Sequence, residues 1–148
     1  MELKRVLVGV DGSAAAQAAM RWAAEAVGSD GEVVAVHSTG TALIGQAAAS
    51  AATGLGMFPH AAGRKAEAEQ ALEAWCAPLR DSGVGFRMVV TDADPVKALL
   101  DQARREDADL IVIGHRNGSG FVHRLMQGLS DHLIDHSQRP VVVVPSPR

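Results

Sequence analysis

A chain of 148 residues with a net charge of −3 is one domain's worth of sequence, long enough to bury a sizeable core without a disulfide or a metal. An isoelectric point near 6.0, the absence of Tyr and the lack of any basic stripe argue against electrostatic capture of nucleic acid, and no apolar run is long enough to cross a bilayer. The single cysteine, Cys76, cannot form an internal disulfide, so the chain reads as a cytoplasmic protein in which Cys76 is a small buried apolar residue.

The N-terminal MELKRVLVGV runs straight into a strand pattern, which is not how a cleaved signal reads. Val6 to Val10 is the first strand, ended by Asp-Gly. The alanine-rich SAAAQAAMRWAAEAVG that follows predicts a helix, with Ser13 as its N-cap and Gly28 as its stop. EVVAVHS, Glu32 to Ser38, is a second strand. Thr39 to Pro59 is long, small-residued and nearly uncharged; a lid, a partly helical insertion and an ordinary surface excursion all fit it.

His60 to Asp81 predicts a helix with Glu67, Glu69 and Glu73 on one side and Leu72, Trp75 and Leu79 on the other. Pro78 should kink it or end it early. Gly85 to Thr91 is the third strand. DADPVKALLDQARREDA supplies another helix, with Asp92 and Asp94 as capping residues and Pro95 in the first turn, where its missing N–H costs nothing. ADLIVIG, Ala108 to Gly114, is the fourth strand, Leu125 to Ser137 a helix, and RPVVVVP, Arg139 to Pro145, the fifth strand.

Strands such as IVI and VVVV are apolar throughout rather than alternating. That pattern signals burial on both faces, and so an α/β three-layer sandwich with a parallel sheet between helices. Ligands in such folds sit at the carboxyl ends of the strands, near the point where the strand order reverses. The candidate positions are Asp11, Gly12 and Ser13 after the first strand, and the glycine-rich GHRNGSGFVHRLMQGLSD, Gly114 to Asp131, after the fourth.

That loop has no lysine, so it is not a Walker loop, which needs GxxxxGK followed by Ser or Thr. Gly118-Ser119-Gly120 begins a dinucleotide fingerprint, but His123 stands at its third position and the stretch follows the wrong strand. What survives is physical: backbone N–H groups in a glycine-rich turn before a helix attract anions, and Arg116 would add charge. A turn that merely joins strand to helix is the rival reading.

Taken together, VLVGVDGS, DADPVKALLDQARREDADLIVIGHR and LSDHLIDHSQRPVVVVP resemble the universal stress protein family of the UspA type. The resemblance spans essentially the whole chain and is weakest over 39–59. It implies a Rossmann-like sheet of five parallel strands in the order 3-2-1-4-5. It also implies homodimers paired through the last strand, here Val141, Val142, Val143 and Val144. Pro140 and Pro145 bracket that strand and limit how far its edge can pair.

Family members that bind ATP carry a glycine, two residues, a glycine, nine residues, a glycine, then Ser or Thr. Carried over without a gap, Gly114 matches the first glycine, while Asn117, Gln127 and Gly128 stand at the other three positions. A rival register uses Gly118 and Gly128 and puts Leu129 at the hydroxyl position. The motif is broken in both. Asn117 is the mildest change, because Asn tolerates a left-handed backbone. Gln127 places a side chain where backbone should approach phosphate. Gly128 removes a hydroxyl worth about 1 kcal/mol, or up to about 3 against a charged acceptor. Together these changes weaken phosphate binding by roughly ten- to a few hundred-fold, with Arg116, His123 or Arg124 as sources of compensation.

The resemblance also assigns Asp11 to the base, Ser38 to a backbone contact with it, and Gly9 and Ile113 to the same pocket. The ligand implied is ATP or AMP, with no metal beyond a nucleotide-associated magnesium ion.

His132 and His136 share a helical face, but no third ligand is evident and the Glu of HExxH is missing, so both read as structural, His136 favourably placed near a helix C-terminus. His37 reads as a core or pocket-wall residue. No nucleophile elbow and no catalytic pair of carboxylates stands out, so enzyme activity has little support. The expectation is a cytoplasmic stress-response homodimer with an adenine-nucleotide pocket whose phosphate loop is degraded. The alternatives are a competent ATP- or AMP-gated switch with weak ATPase activity, and a protein-interaction module with an unknown partner and no nucleotide.

Overall fold

Consecutive residues of a strand point to opposite faces, so consecutive buried residues require cover on both sides. Val6, Leu7 and Val8, and again Ile111 and Val112, are wholly buried. The computed structural model of the chain, which describes residues 2–40, 61–115 and 130–147, supplies that cover. In chain order the elements are β1 (Leu3–Gly9), α1 (Ala14–Ala26), β2 (Val27–Ser38), α2 (Ala61–Trp75), α3 (Ala77–Ser82), β3 (Gly85–Thr91), α4 (Pro95–Arg105), β4 (Leu110–His115), α5 (130–136) and β5 (Val141–Pro145).

The sheet has five parallel strands in the order β3-β2-β1-β4-β5, as the resemblance implied. On one face Val6, Val8, Val33 and Val112 pack with Ala16, Met20 and Ala23 of α1 and with Leu72, Cys76 and Leu79 of the α2–α3 pair. On the other, Leu7, Val34, Ile111 and Ile113 pack with Ala98, Leu99 and Ala103 of α4 and Leu133 of α5.

Several boundaries differ from the sequence expectation for local reasons. Gly28 does not stop α1: Val27 turns to extended backbone, its N–H bonding the Ala23 carbonyl, and β2 starts there rather than at Glu32. Gly28 instead lies where a Cβ would fall 2.5 Å from the Glu2 carboxylate. The single helix expected over His60 to Asp81 is two, because the chain breaks at Cys76 and Pro78 opens the first turn of α3. Pro78 therefore does end the first helix. Among the described residues β5 is an edge strand, paired with β4 alone, so VVVV is not buried on both faces and Val143 keeps 38% of its surface exposed. Cys76 is buried as expected, and that burial pushes its thiol up.

An ion network ties the sheet to the end of α4. Arg87 on β3 donates to Glu32 on β2 (3.0 Å) and to Glu106 at the C-cap of α4 (2.5 Å), while Arg5 on β1 donates to Glu32 (2.8 Å) and to the Glu106 carbonyl (2.6 Å). Arg87 is the main reason that both carboxyls lie below their ordinary range. Asp109 is lowered first by the Arg5 N–H, then by that of Lys4, both bonding its Oδ2.

Candidate functional site

The chain leaves β1 through a short, tightly fixed turn. Val10 donates its N–H to the Val36 carbonyl at 2.8 Å, carrying the ladder one residue past the strand. Gly12 adopts φ +80°, the left-handed region where a side chain is strained. Asp11 Oδ1 accepts from the Ser13 N–H (3.0 Å) and the Ser13 hydroxyl (2.5 Å), and Ser13 Oγ in turn accepts from the Ala16 N–H at 3.1 Å. Ser13 is thus the N-cap expected of it, and Asp11 is oriented by the same cap.

A second clasp fixes the end of β2. Ser38 Oγ donates to the Ala93 carbonyl and accepts from the Gly40 N–H (3.1 Å); Thr39 donates its N–H to the Thr91 carbonyl at 2.8 Å. These bonds hold the β3–α4 connection over the strand ends. Asp94 Oδ2 then caps α4, accepting from Val96 (3.1 Å) and Lys97 (3.3 Å), while Asp92 is exposed and is not the cap.

Between the two clasps lies an open cleft at the carboxyl ends of β1, β2 and β4. Gly9, Ile113 and Gly114 floor it; Val36, Pro95, Ala98 and Leu99 give it an apolar wall; Asp11, Ser13, His37 and Ser38 add polar groups. Its concave, mostly apolar lining with a few polar groups is that of a small-molecule pocket. It sits where the connection out of β1 goes to β2 on one side and the connection out of β3 crosses back to β4 on the other. The apolar wall suits a flat ring, and the Asp11 carboxylate suits a hydroxyl or amino donor.

Gly114 has a packing role of its own. A Cβ there would run into the Ala15 backbone and lie 2.7 Å from the Ala16 nitrogen, so the first turn of α1 rests directly on β4. Gly9 is less constrained: a Cβ would lie 3.4 Å from Leu99 and 3.5 Å from Ile113, ordinary contact at the cleft floor.

Of the site residues expected from the sequence, Gly9, Asp11, Ser38, Ile113 and Gly114 meet around this one cleft. His37 is indeed a pocket-wall residue, its Nδ1 donating to the Val10 carbonyl at 2.8 Å. Arg116, Asn117, Gln127, Gly128 and Leu129 lie outside the described residues, as do His123, Arg124, the Gly118 register and nearly all of 39–59. Val141 to Val144 are on β5, at the sheet edge. Sequence reasoning missed Pro95, Ala98 and Leu99. Their apolar spacing was visible, but only the crossover places that helix face over Gly9.

His132 and His136 stack with ring centroids 6.1 Å apart, and His136 Nδ1 bonds the His132 carbonyl at 3.0 Å. Among the described residues no three His, Cys, Asp or Glu side chains gather as a metal site, and no helix is long and apolar enough to cross a membrane.

The model of the universal stress protein family matches residues 2–145. Two universal stress proteins of Synechocystis sp. are similar to the chain. One is 28% identical over 85 residues, 57% of this chain and 55% of that protein; the other is 32% identical over 53 residues, 36% and 49%. The chain thus spans about half the length of the curated relatives it matches. A universal stress protein solved in complex with cAMP superposes with a TM-score of 0.69 at 19% identity, covering 99% of this chain and 100% of that one. One from Archaeoglobus fulgidus gives 0.66 at 23% identity over 97% and 95%. One from Arabidopsis thaliana with AMP bound gives 0.64 at 16% identity over 97% and 92%. At such identities the structural likeness establishes the fold.

Proposed function

The chain belongs to the universal stress protein family, and from that premise we propose that it is a cytoplasmic stress-response dimer whose cleft takes an adenine nucleotide. The observation that carries this reading is the cleft itself: an apolar-walled slot at the reversal point of the sheet, with Asp11 fixed at its rim. A base fits between the α4 wall and the strand ends, and Asp11 meets a donor on the base or the ribose. Relatives of the same fold that carry cAMP or AMP support the ligand class.

Mononucleotides are favoured over ATP because Asn117, Gln127 and Gly128 replace the groups that serve a phosphate chain in ATP-binding members. The dimer reading rests on β5, a sheet edge whose Val143 is exposed. The lone buried Cys76 suits a reducing compartment.

Calorimetric titration with adenosine, AMP, cAMP and ATP tests the ligand. AMP or cAMP binding tighter than ATP, and lost in Asp11→Ala, supports the reading. Low-micromolar ATP with weaker AMP favours the competent ATP-binding alternative. No binding of any of the four leaves a protein-interaction module.

A further inference from the structure

Trp75 ends α2, and its indole reaches the back of the β1–α1 turn. Cε2, Cζ2 and Nε1 of the ring stand 2.6, 2.6 and 2.9 Å from where a Cβ on Gly12 would be. Gly12 is thus denied a side chain twice, by its φ of +80° and by the indole packed against it. The same ring meets His37 edge to face, with centroids 5.0 Å apart and planes at 86°. His37 passes the contact on through its Nδ1, 2.8 Å from the Val10 carbonyl. A carbonyl only accepts, so Nδ1 carries the proton and the ring is fixed in that orientation.

Trp75 therefore supports the turn from both ends, Gly12 directly and Val10 through His37. It does not line the cleft, and its other side lines a shallow groove with Gln17 and Arg21. Its own place is set by the break at Cys76 and by Pro78, which stop α2 at this residue. A side chain that merely filled core volume would have no reason to abut the left-handed Gly12.

We infer that Trp75 is a positioning residue for the cleft: its indole holds the Asp11–Gly12–Ser13 turn and the His37 ring in the arrangement that presents Asp11 to a ligand. Because Asp11 Oδ1 and the α1 cap share the Ser13 hydroxyl, any slackening of the turn moves the carboxylate and the first turn of α1 together. The inference rests on reading the cleft as an adenine-nucleotide site.

The test uses the full chain carrying Trp22→Phe, which leaves Trp75 as the sole tryptophan; Trp22 lies on the outer side of α1, away from the cleft. AMP shifts the Trp75 emission of this protein with the Kd that calorimetry gives. In Trp75→Ala the Kd for AMP rises about tenfold or more. Hydrogen exchange of the bonded Ser13, Ala16 and Gln17 amides also speeds about tenfold or more, while β1 and β4 keep their protection. Trp75→Phe keeps a ring against Gly12 and restores both readings to within about threefold.

An unchanged Kd and unchanged exchange in Trp75→Ala, with only the Tm lowered, overturn the inference. Should Trp75→Ala fail to fold, Trp75→Leu bears the same comparison against Trp75→Phe. If the unaltered chain binds no AMP, cAMP or ATP, the nucleotide reading falls by itself. The exchange comparison needs no ligand and still decides: faster exchange confined to the turn sustains the role of Trp75, and unchanged exchange removes it.

Discussion

Gly114 and Ala15 touch backbone to backbone: the end of β4 lies so close under the first turn of α1 that no Cβ fits between them. A glycine for which the family resemblance implies a phosphate-binding role is thus required by packing before any ligand arrives. Gly114→Ala should destabilise the fold by about 3 kcal/mol or more, at the upper end of overpacking costs, because the obstacle is backbone and cannot rotate away. Gly9→Ala is the control. Its Cβ meets only ordinary contacts, so its stability should stay within about 1.5 kcal/mol of the unaltered chain while nucleotide affinity falls. Urea unfolding of both variants checks the pair, and equal losses would show that the Gly114 contact is not limiting.

The Arg87 network makes stability pH-dependent. Arg87 holds Glu32 and Glu106 below the ordinary carboxylate range, so the folded state favours their ionised forms. That contribution is complete above the unfolded value of about 4.3 and is lost as pH falls through the lowered folded values. Asp109 adds to the same trend from its bonds to the Lys4 and Arg5 amides. Thermal melts should therefore fall steeply below about pH 4. Arg87→Met should flatten that fall and lower stability near pH 7 by about 1 kcal/mol, a small figure because Arg87 is half exposed and screened by solvent. An unchanged acid limb in Arg87→Met would mean that other carboxylates govern it.

The sheet was legible because its signal is local. Unbroken β-branched runs report burial on both faces wherever they lie in the chain, and Ser13, Asp94 and Pro78 mark helix ends by short-range chemistry. The errors came from tertiary circumstances. VVVV has the composition of a central strand, and only the strand order makes it an edge. Gly28 has the look of a helix stop, but Val27 turns the chain first and the glycine serves a contact with Glu2. In the site, Asp11 and Ser38 could be found because they follow strands directly. Leu99 and Trp75 could not, since Leu99 reaches the end of β1 and Trp75 the turn after it, each from a helix far along the chain, and amphipathic spacing marks both as core without saying what they face.

Edge exposure on β5 bears on assembly. Val143→Glu places a charge on the exposed side of a strand that, among the described residues, is paired with β4 alone, where it should change monomer stability by no more than about 0.5 kcal/mol. Across a self-paired edge the same charge meets its own copy and loses its water. Light scattering should report a dimer for the unaltered chain and a monomer for Val143→Glu. A dimer that survives the substitution would move the interface elsewhere on the surface.

The broken glycine motif gives a test that separates phosphate from base. In the ungapped register Gln127 and Gly128 stand where a glycine and a hydroxyl residue serve the phosphate chain. Gln127→Gly with Gly128→Ser restores both, and the restored hydroxyl and open backbone should raise ATP affinity by roughly ten- to a few hundred-fold. Adenosine carries no phosphate, so its affinity should not move, and AMP should respond less than ATP. Calorimetry on the double variant reads all three. A uniform gain would mean that the substitutions act on the cleft as a whole. No gain for ATP would reject the ungapped register and leave Gly118 and Leu129 as the positions to alter.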